Sequence, residues 1–122
     1  MKPETERWLR RAAEDMGVAD AAWERGYDSS CIYHCQQAIE KTLKAGLVEH
    51  GESVPKIHDL PALVHRLGLQ IGREDLDFLG RLTEQYIPTR YGDARIEYPR
   101  EVAENYFETT KRLHSWLLQQ LS

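Results

Sequence analysis

Apolar side chains recur at helical spacing over most of the chain. Between residues 4 and 25 they are separated alternately by three and four positions, and the same spacing returns between residues 102 and 116. The positions are Leu9, Ala12, Met16, Ala19 and Trp23 in the first segment, and Val102, Tyr106, Thr109, Leu113 and Trp116 in the second. This repeat is typical of helices that pack along one seam of a bundle. We therefore predict a first helix over 4–25, ended by Gly26, and a last helix from Pro99 to the C-terminus.

The stretch 27–51 has a wide apolar face made largely of small side chains. The residues on that face are Cys31, Ile32, Cys35, Ala38, Ile39, Thr42, Leu43 and Gly46. Because small side chains allow neighbouring helices to approach closely, we interpret this stretch as the central helix of the bundle. Asp28, Ser29 or Ser30 could cap its start, and Gly51 suits the left-handed position after its end.

Two shorter helices are predicted in the middle of the chain. Asp59 is suited to cap a short helix that ends near Gly68, and a longer helix is predicted over 73–87. Residues 88–98 have no consistent period, so we expect a long connection of the kind that often carries function. The predicted fold class is all-α, an up-and-down antiparallel bundle of four main helices plus one short helix. We expect it to form a single domain over residues 1–122.

Composition and charge restrict what the protein can be. The 122 residues are 41% hydrophobic and 30% charged, which is typical of a cytosolic protein. No apolar run approaches the roughly 20 residues of a membrane span. The N-terminus lacks the apolar segment of a signal peptide, so we expect a cytoplasmic protein. A net charge of −4 argues against a general nucleic-acid coat protein, although it leaves room for a local basic site.

Cys31, His34 and Cys35 lie within about one helical turn, which raises the question of a metal site. Structural zinc normally takes four ligands that converge from two elements, and the sequence holds no second cluster of Cys or His. We interpret the cysteines as core residues and expect neither a metal nor another cofactor.

The connection 88–98 contains the strongest candidate for a binding site. Arg90 offers a planar guanidinium suited to a phosphate group, and Tyr91 offers a ring on which a base could stack. Asp93 could orient Arg90. The alternative is that Arg90 pairs with an internal carboxylate and holds the loop in place.

A polar stripe on the central helix could support this site. It consists of His34, Gln37, Lys41 and Lys44, spaced three or four residues apart. Such a stripe could contact a phosphate or an acidic partner, or it could be solvated or paired with carboxylates such as Glu40. His58 and Asp59 could form a catalytic pair, but a structural role is favoured because Asp59 is already assigned as a helix cap.

Three segments, in this order, resemble the small prokaryotic HEPN domains. They are YHCQQAIEKTLKAGL at 33–47, KIHDLPALV at 56–64 and YIPTRYGDAR at 86–95, and the resemblance extends over roughly residues 5 to 118. HEPN domains are α-helical bundles that commonly dimerise, so the resemblance implies a homodimer. Gly92 stands where relatives usually have proline.

Many HEPN proteins are toxins that cleave RNA with an Arg and a His separated by four to six residues, brought together across the dimer. No arginine of this chain has a histidine at that distance, so we expect no catalytic residues of this kind. Cleavage would need an atypical site, such as Arg90 with a histidine from another helix.

Other HEPN proteins are encoded beside a minimal nucleotidyltransferase and act as its partner subunit. The stretch HCQQAIEKTLKAGL at 34–47 and the loop with Thr89, Arg90 and Tyr91 resemble this branch. The resemblance therefore implies a nucleotide- or RNA-binding subunit, paired with a nucleotidyltransferase in a toxin–antitoxin-like or stress system. Its expected ligand contacts are Arg90, Tyr91, Asp93, Lys41, Lys44 and His34. The alternatives are a metal-independent RNase toxin with an atypical site, and a non-catalytic protein-interaction and dimerisation domain.

Overall fold

The computed structural model describes residues 1–92 and 96–122, and the regular structure in these residues is entirely helical. The helices are α1 Pro3–Glu24, α2 Asp28–Glu49, α3 Leu60–Leu67, α4 Arg73–Glu84, α5 Tyr86–Arg90 and α6 Arg100–Leu121. The predicted all-α fold is confirmed. Within the described part of the chain there are six helices rather than the five predicted from the sequence.

The long helices alternate in direction. Thr5 at the start of α1 donates a hydrogen bond to the Glu49 carboxylate at the end of α2, with a distance of 2.9 Å, so these two helices are antiparallel. Arg112 of α6 pairs with Asp75 at the start of α4 at 2.6 Å. Further along α4, Phe78 packs on Tyr106, which lies earlier in α6, so these two helices are antiparallel as well. The bundle therefore has the predicted up-and-down arrangement.

Helix α2 is the centre of the bundle, as its small-residue face predicted. Most of its residues are buried, and it packs against α1, α3, α4, α5 and α6. At Gly46 an added Cβ would lie 2.9 Å from Leu121 Cδ2 and 3.0 Å from Leu67 Cδ2. Both the end of α6 and the end of α3 therefore approach α2 more closely than a larger side chain would allow.

The helix ends confirm one predicted cap and correct another. Asp59 accepts a hydrogen bond from the Ala62 backbone N–H at 3.1 Å and caps α3 as predicted. By contrast, Tyr27 occupies the N-cap position of α2, and no side chain caps that helix. The predicted caps 28–30 lie inside the first turn, because the helix begins earlier than the sequence pattern suggested.

The predicted helix 73–87 is interrupted after Glu84, and residues 86–90 form the separate short helix α5. In a continuous helix the N–H of residue 88 would donate to the carbonyl of residue 84, and Pro88 has no N–H. In α5 the same proline is the third residue, where the backbone N–H needs no partner inside the helix. Thr89 and Arg90, predicted to lie in a loop, are therefore helical.

Aromatic side chains fill the space between the outer helices. The rings of Trp23 and Phe107 are 5.8 Å apart, and those of Phe78 and Tyr106 are 5.6 Å apart. These contacts join α1 and α4 to α6. In residues 1–92 and 96–122, no helix has both the length and the apolarity needed to cross a lipid bilayer.

Candidate ligand-binding site

Helix α5 places Arg90 one turn after Tyr86, at the edge of a groove. The Arg90 guanidinium donates a hydrogen bond to the Tyr86 hydroxyl, which raises the pKa of Arg90. Its Cζ lies 5.4 Å from the centre of the Tyr86 ring and 5.5 Å from that of Tyr91, both within cation–π range. Arg90 is exposed and forms no salt bridge with any residue that the structure describes. The predicted alternative, a pairing with an internal carboxylate, is not observed in that part of the chain.

The groove lies between the start of α2 and α5 and has a volume of about 490 Å³. It is lined by Tyr27, Asp28, Ser29, Ser30, Tyr33, Thr89 and Arg90. The volume falls in the range of about 300–1,000 Å³ that is usual for small-molecule sites. The Asp28 carboxylate is neutralised by Arg100, so it does not leave an unpaired negative charge in the groove. The ring of Tyr27 is exposed on one side of the groove, and that of Tyr91 is exposed beside Arg90.

Below the groove, four rings form a continuous aromatic row: His34, Tyr33, Tyr86 and His58. Tyr86 is 5% exposed and is stacked against His58, with ring centres 4.2 Å apart, and against Tyr33 at 6.1 Å. Tyr33 meets His34 edge-on at 5.0 Å. Burial raises the pKa of Tyr33, as does the neighbouring Tyr86, so the Tyr33 hydroxyl stays protonated at neutral pH.

At one end of the aromatic row, His34 and Lys41 share the carboxylate of Asp15 on α1. His34 Nδ1 lies 2.8 Å from Asp15 Oδ1, and Lys41 Nζ donates to Asp15 Oδ2 at 2.6 Å. Burial acts to raise the pKa of Asp15, but the hydrogen bonds from His34 and Lys41 outweigh it and leave that pKa below its ordinary value. The charge of Lys41 is therefore matched by a carboxylate.

At the other end, Glu40 joins α2 to the segment before α3. It is 5% exposed and accepts hydrogen bonds from Lys44 at 2.8 Å and from Gln36 at 3.0 Å. His58 Nδ1 lies 2.8 Å from the Glu40 carboxylate, so this nitrogen carries the proton. Burial acts to raise the pKa of Glu40, whereas the hydrogen bonds from Lys44, Gln36 and His58 lower it further than burial raises it.

The structure brings together some of the predicted ligand contacts and separates others. Arg90 borders the groove, and Tyr91 is exposed beside it. His34 and Lys41 lie farther along α2, held by Asp15. Lys44 is 5% exposed and is engaged with Glu40, so its charge lies in the interior. Asp93 lies outside the described residues.

Two residues of the site, Tyr33 and Tyr86, were missed in the sequence, and His58 was considered only as a pair with Asp59. A signal for Tyr86 was present, because it precedes Arg90 by four residues, the spacing at which helical side chains meet. It was overlooked because residues 88–98 were interpreted as a loop. The stacking of Tyr33 and His58 on Tyr86 joins three separate segments, and no local pattern indicates it.

Cys31 and Cys35 are unpaired and buried in the core, as interpreted from the sequence. In residues 1–92 and 96–122, no group of three His, Cys, Asp or Glu side chains could hold a metal ion. The described side chains around the groove are suited to bind an anion and an aromatic ring, with no ligand set for a cation.

The protein is thus an all-α helical bundle with a polar and aromatic groove beside its central helix. The HEPN domain family matches residues 5–121, and the chain belongs to that family. The resemblance inferred from the three sequence segments is confirmed.

Two solved structures share the fold along its whole length. The protein TT1696 from Thermus thermophilus has a TM-score of 0.84 and 23% identity, over 98% of this chain and 100% of that protein. ST0689, an archaeal HEPN homologue, has a TM-score of 0.76 and 27% identity, over 100% of both chains. No curated protein matches this chain in sequence.

Proposed function

We propose that this HEPN protein is a nucleotide- or RNA-binding subunit and that it binds a phosphate group through Arg90. The observation that carries the proposal is the exposed guanidinium of Arg90 at the edge of the groove, without a carboxylate partner among the described residues. A guanidinium in this state can form two parallel hydrogen bonds with a phosphate. The exposed rings of Tyr27 and Tyr91 offer surfaces on which a base can stack.

The charges around the site favour a ligand with one phosphate group at this position. Lys41 is paired with Asp15 and Lys44 with Glu40, so neither contributes a free positive charge. Among the predicted contacts that the structure describes, Arg90 is the one permanent cation without an ion pair. One such cation matches one phosphate group better than the several charges of a nucleoside triphosphate.

The test is direct binding of AMP, by calorimetry, and of a fluorescein-labelled oligoadenylate, by fluorescence anisotropy. Arg90→Ala should weaken binding of whichever ligand binds by about tenfold to a hundredfold, the usual loss for a charge-assisted hydrogen bond. Arg66→Ala is the matched control, because Arg66 is also exposed, lies on α3 and changes the net charge equally. Equal affinities for the two variants would refute the proposed site. Lys41→Ala should have a smaller effect, because Asp15 already neutralises Lys41.

We further propose that the protein is a cytoplasmic homodimer that partners a minimal nucleotidyltransferase in a toxin–antitoxin-like or stress system. HEPN domains commonly dimerise, and Ile87 and Val18 are 58% and 44% exposed. If light scattering shows only monomer at micromolar concentration, the proposed homodimer is wrong.

The transferase is tested by affinity capture from the native host with mass spectrometry of the bound proteins. Recovery of a nucleotidyltransferase supports the pairing, and its absence counts against it. A stable protein partner together with no binding of either ligand would favour a pure interaction domain instead.

One observation favours a second candidate, metal-independent cleavage of RNA. His58 and Arg90 both contact Tyr86, although they lie far apart in sequence. The Glu40 carboxylate holds the proton on His58 Nδ1, which leaves Nε2 free of a proton when the ring is neutral. A histidine in this state can act as a general base toward a ribose 2′-hydroxyl. Cleavage of RNA in the presence of EDTA, abolished in His58→Ala, would establish this activity, whereas binding without cleavage would exclude it.

A further inference from the structure

The side chain of Arg90 is held by an aromatic residue instead of a carboxylate. An exposed arginine samples many rotamers, and fixing it on a ligand costs conformational entropy. Here the guanidinium already donates to the Tyr86 hydroxyl and lies over the rings of Tyr86 and Tyr91. These contacts confine Arg90 to the edge of the groove before any ligand arrives.

Tyr86 is itself unusually constrained. Its ring is 5% exposed and is stacked against two neighbouring rings, His58 at an interplanar angle of 20° and Tyr33 at 26°. A change of the Tyr86 side chain to another rotamer about the Cα–Cβ bond would have to displace one of these neighbours. The position of the Tyr86 hydroxyl oxygen, which accepts the hydrogen bond from Arg90, is therefore fixed.

Buried side chains of α2 hold His58, the ring that stacks on Tyr86. His58 is partly exposed, and its Nδ1–H is held by the Glu40 carboxylate at 2.8 Å. Glu40 in turn is fixed by Lys44 and Gln36, and Gln36 also donates to the His58 carbonyl oxygen at 3.3 Å. Both the ring and the backbone of His58 are thus tied to buried side chains of the central helix.

We propose that Tyr86 is the positioning residue of the ligand site. Its hydroxyl orients the Arg90 guanidinium, and His58, anchored by Glu40, fixes the Tyr86 ring. The inference rests on the proposed function of Arg90 and assigns to Tyr86 the orienting role that the sequence suggested for Asp93.

The first test needs no ligand. In ¹⁵N NMR spectra at low temperature, the wild-type protein should show hindered rotation of the Arg90 guanidinium, seen as separate Nη signals. Tyr86→Phe keeps the stacked ring and removes the hydroxyl, so these signals should merge. Tyr106→Phe is the control, because Tyr106 is similarly buried at 9% exposure but lies on α6. Identical Arg90 signals in the wild type and in Tyr86→Phe would overturn the proposal.

The second test is a double-mutant cycle on the binding of fluorescein-labelled oligoadenylate. Tyr86→Phe should weaken binding by about two- to tenfold, the cost of ordering one free arginine side chain. In the Arg90→Ala background the same substitution should have no further effect. His58→Gln should behave in the same way, with a smaller loss.

The outcomes separate the two proposals. If Arg90→Ala weakens binding but Tyr86→Phe does not, the phosphate site stands and the positioning role of Tyr86 is wrong. Equal losses for Tyr86→Phe with and without Arg90 would show that Tyr86 acts independently of it, which also overturns the role. If Arg90→Ala has no effect on the affinity for oligoadenylate, the proposed phosphate site is wrong, whatever the NMR spectra show.

Discussion

Replacing Glu40 by glutamine should destabilise the fold by about 2–4 kcal/mol, the cost of leaving a buried charge without its partner. The carboxylate is 5% exposed and accepts three hydrogen bonds, and the Lys44 side chain that it neutralises is 7% exposed. Glutamine preserves the shape but keeps only one acceptor oxygen and no charge. Lys44 would then be buried as an unpaired cation.

The assays are urea unfolding and thermal unfolding, both followed by circular dichroism, with the urea midpoint and slope compared between variants. For a domain of this size, each kcal/mol corresponds to about 4 °C in melting temperature, so a fall of about 8–16 °C is expected. Glu108→Gln is the matched control. Glu108 pairs with Lys111 at 3.0 Å, but its side chain is 58% exposed, so its loss should cost less than about 0.5 kcal/mol.

A second substitution tests whether the unpaired charge of Lys44 causes the loss of stability. Adding Lys44→Met to Glu40→Gln removes the unpaired charge and should recover a large part of the lost stability, because an apolar side chain of similar volume tolerates burial. Unfolding of Glu40→Gln at the same urea concentration as Glu108→Gln would contradict the prediction. A further loss of stability when Lys44→Met is added to Glu40→Gln would contradict it as well.

Three further predictions concern helix packing, acid stability and salt. Gly17→Ala should raise stability by about 0.5–1 kcal/mol in thermal melts, because nothing lies within 4 Å of the added methyl, whereas Gly46→Ala should not, because Leu side chains occupy that space. The pKa values of Asp15 and Glu40 in the folded protein lie below their ordinary values of 3.8 and 4.5. Both carboxylates therefore stabilise the fold at a pH above those ordinary values. That contribution should be lost as the pH falls through the folded pKa values, and a melting temperature independent of pH between about 5 and 2 would contradict this. The logarithm of the affinity for oligoadenylate should fall with the logarithm of the salt concentration with a slope of about −0.7, the value for one phosphate contact, and Arg90→Ala should remove this dependence.

Periodicity alone was sufficient to predict the long helices, because each of them buries one face over several turns. The wheel of the central stretch identified α2 as the innermost helix, and Asp59 identified the start of α3, since capping depends on neighbouring residues only. The interruption after Glu84 was missed. Its cause, the missing N–H of Pro88, was visible in the sequence, but the hydrophobic pattern continued to Tyr86 and concealed it.

The sequence by itself therefore determined the helical class, the order of the long helices and the family, and it singled out Arg90 as a candidate ligand contact. Only the tertiary structure decided which polar residues face that surface. A polar stripe looks the same in sequence whether it contacts water or a second polar segment. In the fold, His58 contacts Glu40, which is buried together with its ion-pair partner Lys44. The aromatic row that holds Arg90 joins Tyr33, Tyr86 and His58 from three segments. Their contacts exist only once the chain has folded, because stacking depends on distances that no local spacing encodes.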